Sequence, residues 1–287
     1  MIRIHLPAWA GCIAVAALLS ACGGGGPKSV SNAAASGARY AGTMTVTFNG
    51  LGLNEGVEVR FSGPCENPQR VAGATTTTLQ YTCKANGVGR VTASLTDTGD
   101  GVVYGALAID VPLPRFSMTV TDGTRAANVV LELDPRAAPK TVEQFVEYAN
   151  AGFYNDTLFH RVNPKIAILG GGFVSDTAGI ISAKLPTRAP LALEKTGLRN
   201  VRGAIAMYRE GGPNSANSMF FINTVDNPRF DAGSTETPDG YAVFGNVVSG
   251  LDSVDNIANV PVRPDLSLGV TDVPVTNVRI GALLQTR

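Results

Sequence analysis

The sequence predicts a mainly β protein in two parts, a small β-sandwich followed by a closed β-barrel capped by two helices. Three observations predict it. Short runs of alternating apolar and polar residues recur along the chain, separated by Gly, Asn, Pro and Asp, and such alternation places apolar side chains on one face of a strand. Helical periodicity is confined to two short segments. The 287 residues are enough for roughly two domains and a sizeable core. Lys and Arg total 23, as do Asp and Glu, so the formal net charge is zero. Without a basic block, the composition argues against nucleic acid as the main partner.

Residues 1–21 read as an export signal. Arg3 supplies a positive start, and an apolar stretch follows over residues 9–19. That stretch is shorter than the ~20 residues of a membrane span. Leu19-Ser20-Ala21-Cys22 resembles the bacterial lipobox, in which the signal is cut before a cysteine that carries lipid chains. Cys22 is therefore the expected lipidation site. Each buried CH₂ contributes about 0.8 kcal/mol and one chain holds only marginally, so such an anchor uses several chains. Gly23 rather than Asp follows the cysteine, which resembles outer-membrane sorting. The expected location is the lipid-anchored cell envelope, on the outer membrane facing the periplasm. Residues 22–42 are small, polar and glycine-rich, and are expected to form a lipidated flexible tether. Their glycine run lacks the preceding strand and following GK[ST] of a phosphate loop.

The alternating pattern starts at residue 43 and defines a small β-sandwich over residues 43–111. Met44, Val46 and Phe48 share one face, as do Val57, Val59 and Phe61. Leu79, Tyr81 and Cys83 alternate with polar residues, and so do Val91, Ala93 and Leu95. A more apolar run covers residues 102–111. Cys65 and Cys83 lie outside the signal, and the oxidising compartment beyond the inner membrane favours a disulfide between them. The triplet Tyr81-Thr82-Cys83 resembles an immunoglobulin tyrosine corner. The two cysteines are too close in sequence for the usual inter-sheet bridge, so the sandwich is immunoglobulin-like at most. A spacer or docking role is expected for it. Pro112 and Pro114 each fix φ and mark a stiff boundary.

The second domain is expected over residues 115–287. Strand candidates cover 115–120 and 128–133. Pro139 opens a helix whose Val142, Phe145, Val146 and Ala149 form one apolar face, with Gly152 ending it. A second helix is expected to start at Ser249, with Asp252 in its first turn and Leu251, Val254 and Ile257 facing inward.

Several segments of this domain resemble cyclophilin-type peptidyl-prolyl cis/trans isomerases, in the family's order, from about residue 116 to 284. Residues 133–142 resemble the first strand and helix start. Phe153-Tyr154 followed by Phe159-His160-Arg161-Val162 is similar to the catalytic strand, and Gly170-Gly171-Gly172-Phe173 to the glycine turn after it. Residues 203–207 resemble a core strand. Asn217-Ser218-Met219-Phe220-Phe221-Ile222 and Gly240-Tyr241-Ala242-Val243-Phe244-Gly245 are similar to two further signature segments. The resemblance implies a cyclophilin-like closed barrel that isomerises X–Pro bonds, needs no cofactor and binds proline-containing polypeptides.

Rotating an X–Pro peptide bond breaks no bond and needs no proton shuttle. The site must bind the twisted imide better than either planar form. An apolar pocket for the proline ring and a fixed cation near the imide nitrogen do this. The resemblance makes Arg161 the catalytic cation, Phe221 the pocket floor and Phe230 an aromatic wall. Tyr241 falls where some members have histidine and several bacterial ones tyrosine. Five positions depart from the family. Leu169 stands where a glutamine orients the arginine, and leucine has no polar atom to do so. Met219 replaces a second glutamine. Ile166 and Ala167 stand where an aromatic and a methionine line the pocket. Tyr208 replaces a small residue. These predict a cation and an aromatic floor without polar positioning, and reduced activity. His160 is the only histidine beyond the signal and is expected to be structural; no metal set or Ser-His-Asp arrangement is present in the sequence pattern.

Two functions follow. One is a membrane-tethered, monomeric folding assistant that isomerises X–Pro bonds of exported proteins. The other, motivated by Leu169, Met219 and Tyr208, is a catalytically weak or inactive lipoprotein that binds proline peptides as a scaffold.

Overall fold

The computed structural model describes residues 27–287, so Cys22 and the export signal lie outside the described residues. The chain divides into two compact units between Pro112 and Leu113.

Seven strands build the first unit: β1 (Ser29–Ser36), β2 (Thr43–Leu51), β3 (Val57–Ser62), β4 (Glu66–Arg70), β5 (Thr78–Lys84), β6 (Gly89–Asp97) and β7 (Val103–Val111). They form two sheets, ordered β1-β2-β5-β4 and β3-β6-β7. Met44, Val46, Phe48 and Leu79 from the first sheet share one core with Val59, Val91, Leu95 and Leu107 from the second. Each set is one face of an alternating strand, so the inner faces pack together as a sandwich.

Two of these strands have no apolar alternation. The expected tether is corrected over residues 29–36, which form β1, an edge strand laddered antiparallel on β2 from Ser29↔Leu51 to Ser36↔Thr45. Its composition of Ser, Asn and Ala reads as linker because backbone hydrogen bonds, rather than side chains, hold it. Val30 is the exception. It is buried where β7 carries Gly105, at which a Cβ would come within 3.1 Å of the valine side chain. Lys28, just before the strand, pairs with Asp97 at 2.8 Å, and the Tyr104 hydroxyl donates to the same carboxylate at 2.8 Å. Lys28, the Gly99 amide and Tyr104 together hold the Asp97 carboxyl well below the usual carboxylate range.

Strand β4 exposes all five residues, so burial does not hold it either. Cys65, immediately before it, is bonded to Cys83 on the neighbouring β5, with Cα atoms 5.7 Å apart. The bridge lies within one sheet, unlike the inter-sheet bond of immunoglobulin domains. It closes a loop with a sequence separation of 18. Changing both cysteines to serine is expected to cost the first unit about 3 kcal/mol. Calorimetry should show its unfolding transition at lower temperature with that of the second unit in place. An unmoved first transition would sink this account of β4.

The second unit contains β8 (Arg115–Thr121), β9 (Ala126–Leu133), α1 (Pro139–Asn150), β10 (Leu158–Val162), β11 (Ala167–Gly170), β12 (Phe173–Ser175), β13 (Ile181–Ala183), β14 (Ala204–Met207), β15 (Phe220–Asn223), β16 (Val243–Ser249), α2 (Leu251–Ala258), β17 (Val262–Asp265), β18 (Val270–Pro274) and β19 (Val278–Gln285). Eight of its strands close a barrel in the order β10-β11-β15-β14-β16-β9-β8-β19. A barrel of that size is filled by its own side chains. The interior here is aromatic. Phe145 of α1 meets Phe116, Tyr154, Phe220 and Phe244 at ring-centroid distances of 5.1 to 5.8 Å. The apolar face read from the sequence of α1 is buried at all four positions.

Helix α1 begins with Pro139 and has no side-chain cap of its own. Glu194 supplies one from a distant loop. Its carboxylate accepts from the amides of Lys140 and Thr141 at 3.0 and 2.7 Å, and from the Thr141 hydroxyl at 2.6 Å. An acceptor there satisfies orphan donors and complements the helix dipole. Helix α2 starts two residues later than expected, because Ser249 still belongs to β16 and Gly250, at φ +83°, turns the chain into the helix.

Candidate active site

The site lies on the outer face of the sheet formed by β11, β15 and β14, and adjacent residues divide between the two faces. Phe220 enters the barrel interior, whereas Phe221 joins a separate cluster with Leu169, Ala204, Ala206 and Val243. On β10 a register shift between Phe159 and Arg161 does the same work. Phe159 pairs with Gly170, yet Arg161 pairs with the next residue, Leu169. Phe159 packs inside against Phe220, and Arg161 is released to the outer face. Such bulges commonly re-aim a side chain. The glycine turn after β11 has a steric reason. Gly171 sits at φ +84°, and a Cβ there would come within 3.0 Å of the Phe220 and Tyr154 rings.

These elements surround a pocket of about 250 Å³ lined by Arg161, Asn163, Ile166, Ala167, Leu169, Tyr208, Phe221, Phe230, Tyr241 and Asp272. Phe221, Phe230 and Tyr241 form a triangle, with centroids 5.2 to 5.6 Å apart and each pair edge to face. That arrangement suits ring quadrupoles and stiffens an apolar wall. Tyr208 stacks against Tyr241 at 6.4 Å, and the Arg209 guanidinium lies over the Tyr241 ring, 5.0 Å from its centroid. Burial raises the Tyr208 hydroxyl above its ordinary pKa.

Phe230 sits on a single 3₁₀ turn, Pro228–Phe230, which a buried asparagine network holds in place. Asn200 donates to the Phe230 carbonyl at 3.0 Å and to Asp231 at 3.1 Å. Asn223 donates to Asn200 at 3.3 Å, and Asn227 donates to Asn223 and to the Ile166 carbonyl, both at 2.8 Å. Two segments that line the pocket, at Ile166 and Phe230, are thereby tied to one polar cluster. A satisfied buried network of this kind fixes geometry.

Arg161 is half-buried. Its Nε and Nη2 donate to the two carboxylate oxygens of Asp272 at 2.9 and 3.3 Å. The hydrogen bonds to Asp272 are the main reason its pKa is raised above the ordinary arginine value. Polar positioning of the arginine is therefore present, contrary to the expectation drawn from Leu169. Its source is β18, an element with no sequence signal for it.

Of the expected site residues, Arg161, Phe221, Phe230, Tyr241, Ile166, Leu169 and Tyr208 are brought together around the pocket. Met219 is corrected: it packs against the same apolar cluster but lies over Gly172 and outside the pocket lining. Asn163 and Asp272 were not anticipated.

His160 turns away from the pocket and packs on Phe173, with ring centroids 4.4 Å apart. It is buried, and its Nδ1 has no hydrogen-bond partner among the described residues. Burial, then the adjacent Arg161 charge, push its pKa from 6.5 to about 4, against weaker opposition from the Leu158 backbone and Asp272. The folded ring is thus neutral. Above pH 6.5 neither state binds the proton and stability is unaffected. As pH falls from 6.5 to about 4 the unfolded chain protonates first, so stability drops by about 3 kcal/mol across that window. Urea unfolding of the second unit over that range should show the decline, and His160→Gln should flatten it. A wild-type curve without slope there would contradict the burial argument.

A model of the family described as cyclophilin type peptidyl-prolyl cis-trans isomerase/CLD matches residues 116–283, more than half of the chain. The chain belongs to that family, and its enzyme class is peptidyl-prolyl cis-trans isomerase. Among its relatives, peptidyl-prolyl cis-trans isomerase A of Dickeya dadantii is 42% identical over 163 residues, 55% of this chain and 82% of that protein. An isomerase of Streptomyces antibioticus is 44% identical over 165 residues, 56% of this chain and 95% of the relative. Isomerase B of Escherichia coli is 41% identical over 143 residues, 49% and 84% of the two chains. A solved cyclophilin-type isomerase of Cryptosporidium parvum aligns with TM-score 0.47 at 20% identity, over 61% of this chain and 99% of that one.

Proposed function

We propose that this protein isomerises X–Pro bonds of exported polypeptides from a lipid anchor at Cys22, on the periplasmic side of the outer membrane, as a monomer and without a cofactor. The observation that carries the catalytic part is the placing of the Arg161 guanidinium beside an apolar pocket floored by Phe221. The barrier to rotation, about 18–20 kcal/mol, comes from amide resonance. Twisting the bond removes conjugation and leaves a basic, pyramidal nitrogen. A guanidinium N–H donating to that nitrogen stabilises the twisted form over both planar forms, which lowers the barrier. Phe221, Phe230 and Tyr241 hold the proline ring while the preceding residue rotates. Tyr208 narrows the approach, and Ile166 with Ala167 offers fewer contacts to the ring than larger side chains do. The rate is accordingly reduced relative to a pocket with its full set of polar and aromatic groups.

One observation favours a second reading, a proline-peptide-binding scaffold with little turnover. Leu169, directly opposite Arg161 on the next strand, cannot hydrogen-bond a substrate backbone. Exchange NMR on a short Ala-Pro peptide with the full chain in detergent separates the two. Faster cis/trans exchange supports the isomerase. Peptide binding without acceleration supports the scaffold, and neither binding nor acceleration removes both. The anchor has its own test: Cys22→Ser should abolish incorporation of radiolabelled fatty acid, and a variant that still incorporates it would refute lipidation there.

A further inference from the structure

We propose that Asp272 is the positioning residue for Arg161, doing from β18 what a side-chain amide on β11 would otherwise do. The inference rests on the isomerase reading of the pocket. Arg161 faces Leu169 across the β10–β11 ladder, and the leucine offers it no acceptor. The carboxylate comes instead from 111 residues further along the chain. It engages Nε at 2.9 Å and Nη2 at 3.3 Å, both along one edge of the guanidinium fork. Two such bonds fix the plane of the group as well as its place.

The remaining terminal amine, Nη1, has no protein hydrogen-bond partner among the described residues, and Arg161 lines the pocket. One edge of the fork is clamped and the other is left for a substrate. The pair is also shielded, with the Asp272 side chain 16% exposed and that of Arg161 39%. A fully solvated pair would hold its geometry weakly. Asp272 is itself held, because the next residue, Val273, is fully buried and pairs with Arg263 on β17.

A carboxylate so placed has two opposed effects on catalysis. It orients the cation and it screens the cation's charge. Orientation is the larger, since a misplacement of 1 Å in a catalytic group can cost about 10²-fold.

The test uses the full chain, the Ala-Pro exchange measurement and ¹⁵N NMR of the arginine Nε–H groups. Asp272→Asn keeps the shape and removes the charge and the second acceptor oxygen. It should lower kcat/KM by about tenfold or more, mostly in kcat, and the Arg161 Nε–H signal should move and exchange faster with water. Adding Leu169→Gln to that variant should recover part of both, because glutamine at 169 stands opposite Arg161. An Asp272→Asn protein as fast as the parent, or faster, would overturn the proposal and leave the carboxylate only a screen. So would a slow variant with an unmoved Arg161 signal and no recovery from Leu169→Gln, since Asp272 would then only brace β18. If the parent itself fails to accelerate exchange, the isomerase reading fails. The Arg161 signal in parent and variant still reports whether Asp272 holds the guanidinium.

Discussion

Replacing Arg161 with alanine is expected to remove the acceleration of X–Pro exchange while the second unit stays folded. Loss of one preorganised charge-stabilising donor costs about 10²–10³-fold in rate. Nothing else in the pocket replaces it. Asp272 has the wrong sign, and the remaining lining is aromatic, aliphatic or neutral. The fold should tolerate the change. The arginine side chain is 39% exposed, and a partly exposed pair contributes about 1 kcal/mol or less to stability. Truncation also opens a path for water to Asp272. The measurement is exchange NMR beside thermal unfolding of the same sample. A variant that keeps the parent rate would show that Arg161 is a surface arginine that happens to line the cleft. A variant that loses both rate and fold would show that its role is structural.

Phe145→Ala is the change expected to damage stability most. Phe145 is the one side chain of α1 that meets rings from three barrel strands, on β8, β15 and β16, and Tyr154 besides. Truncating a buried phenylalanine costs about 3–5 kcal/mol, and the cost is highest where neighbours cannot collapse into the space. Four rigid rings on separate elements cannot. Domains are stable by only about 5–15 kcal/mol, so this one substitution removes a large part of the margin. The effect should reach the pocket, because Phe220 rests on Phe145 and the following residue, Phe221, is the pocket floor. Denaturant unfolding should show a much lower midpoint for the second unit, with weakened binding of proline peptides near that midpoint. An unchanged midpoint would mean that the barrel is held elsewhere.

Legibility in the sequence followed the kind of force that holds each element. Strands that bury every second side chain, such as β2 and β6, were readable because burial imposes a period of two. The face of α1 was readable for the equivalent reason. Arg161 and Phe221 were readable because each sits inside a contiguous segment that resembles the family. Strands β1 and β4 were not readable. One is held by a backbone ladder and a single valine, the other by a ladder and a disulfide, and neither leaves a period behind. Glu194 and Asp272 escaped for another reason. Each is a lone carboxylate on a loop or hairpin, and its partner is brought close only by the closed barrel. Met219 was misplaced because its neighbours in sequence, Phe220 and Phe221, pointed to the pocket, whereas its side chain fills the space above Gly172.

The strand at Ser29 also changes what the segment after Cys22 can do. With residues 29–36 in the sheet, only residues 23–28 remain between that cysteine and the first strand. Six residues span at most about 20 Å even when fully drawn out, whereas a leash through residue 42 would reach about 70 Å. A lipid at Cys22 would therefore moor the sandwich close against the bilayer. Under the anchoring proposed above, the sandwich could not sweep a wide volume, and whatever it meets would have to arrive at the membrane surface.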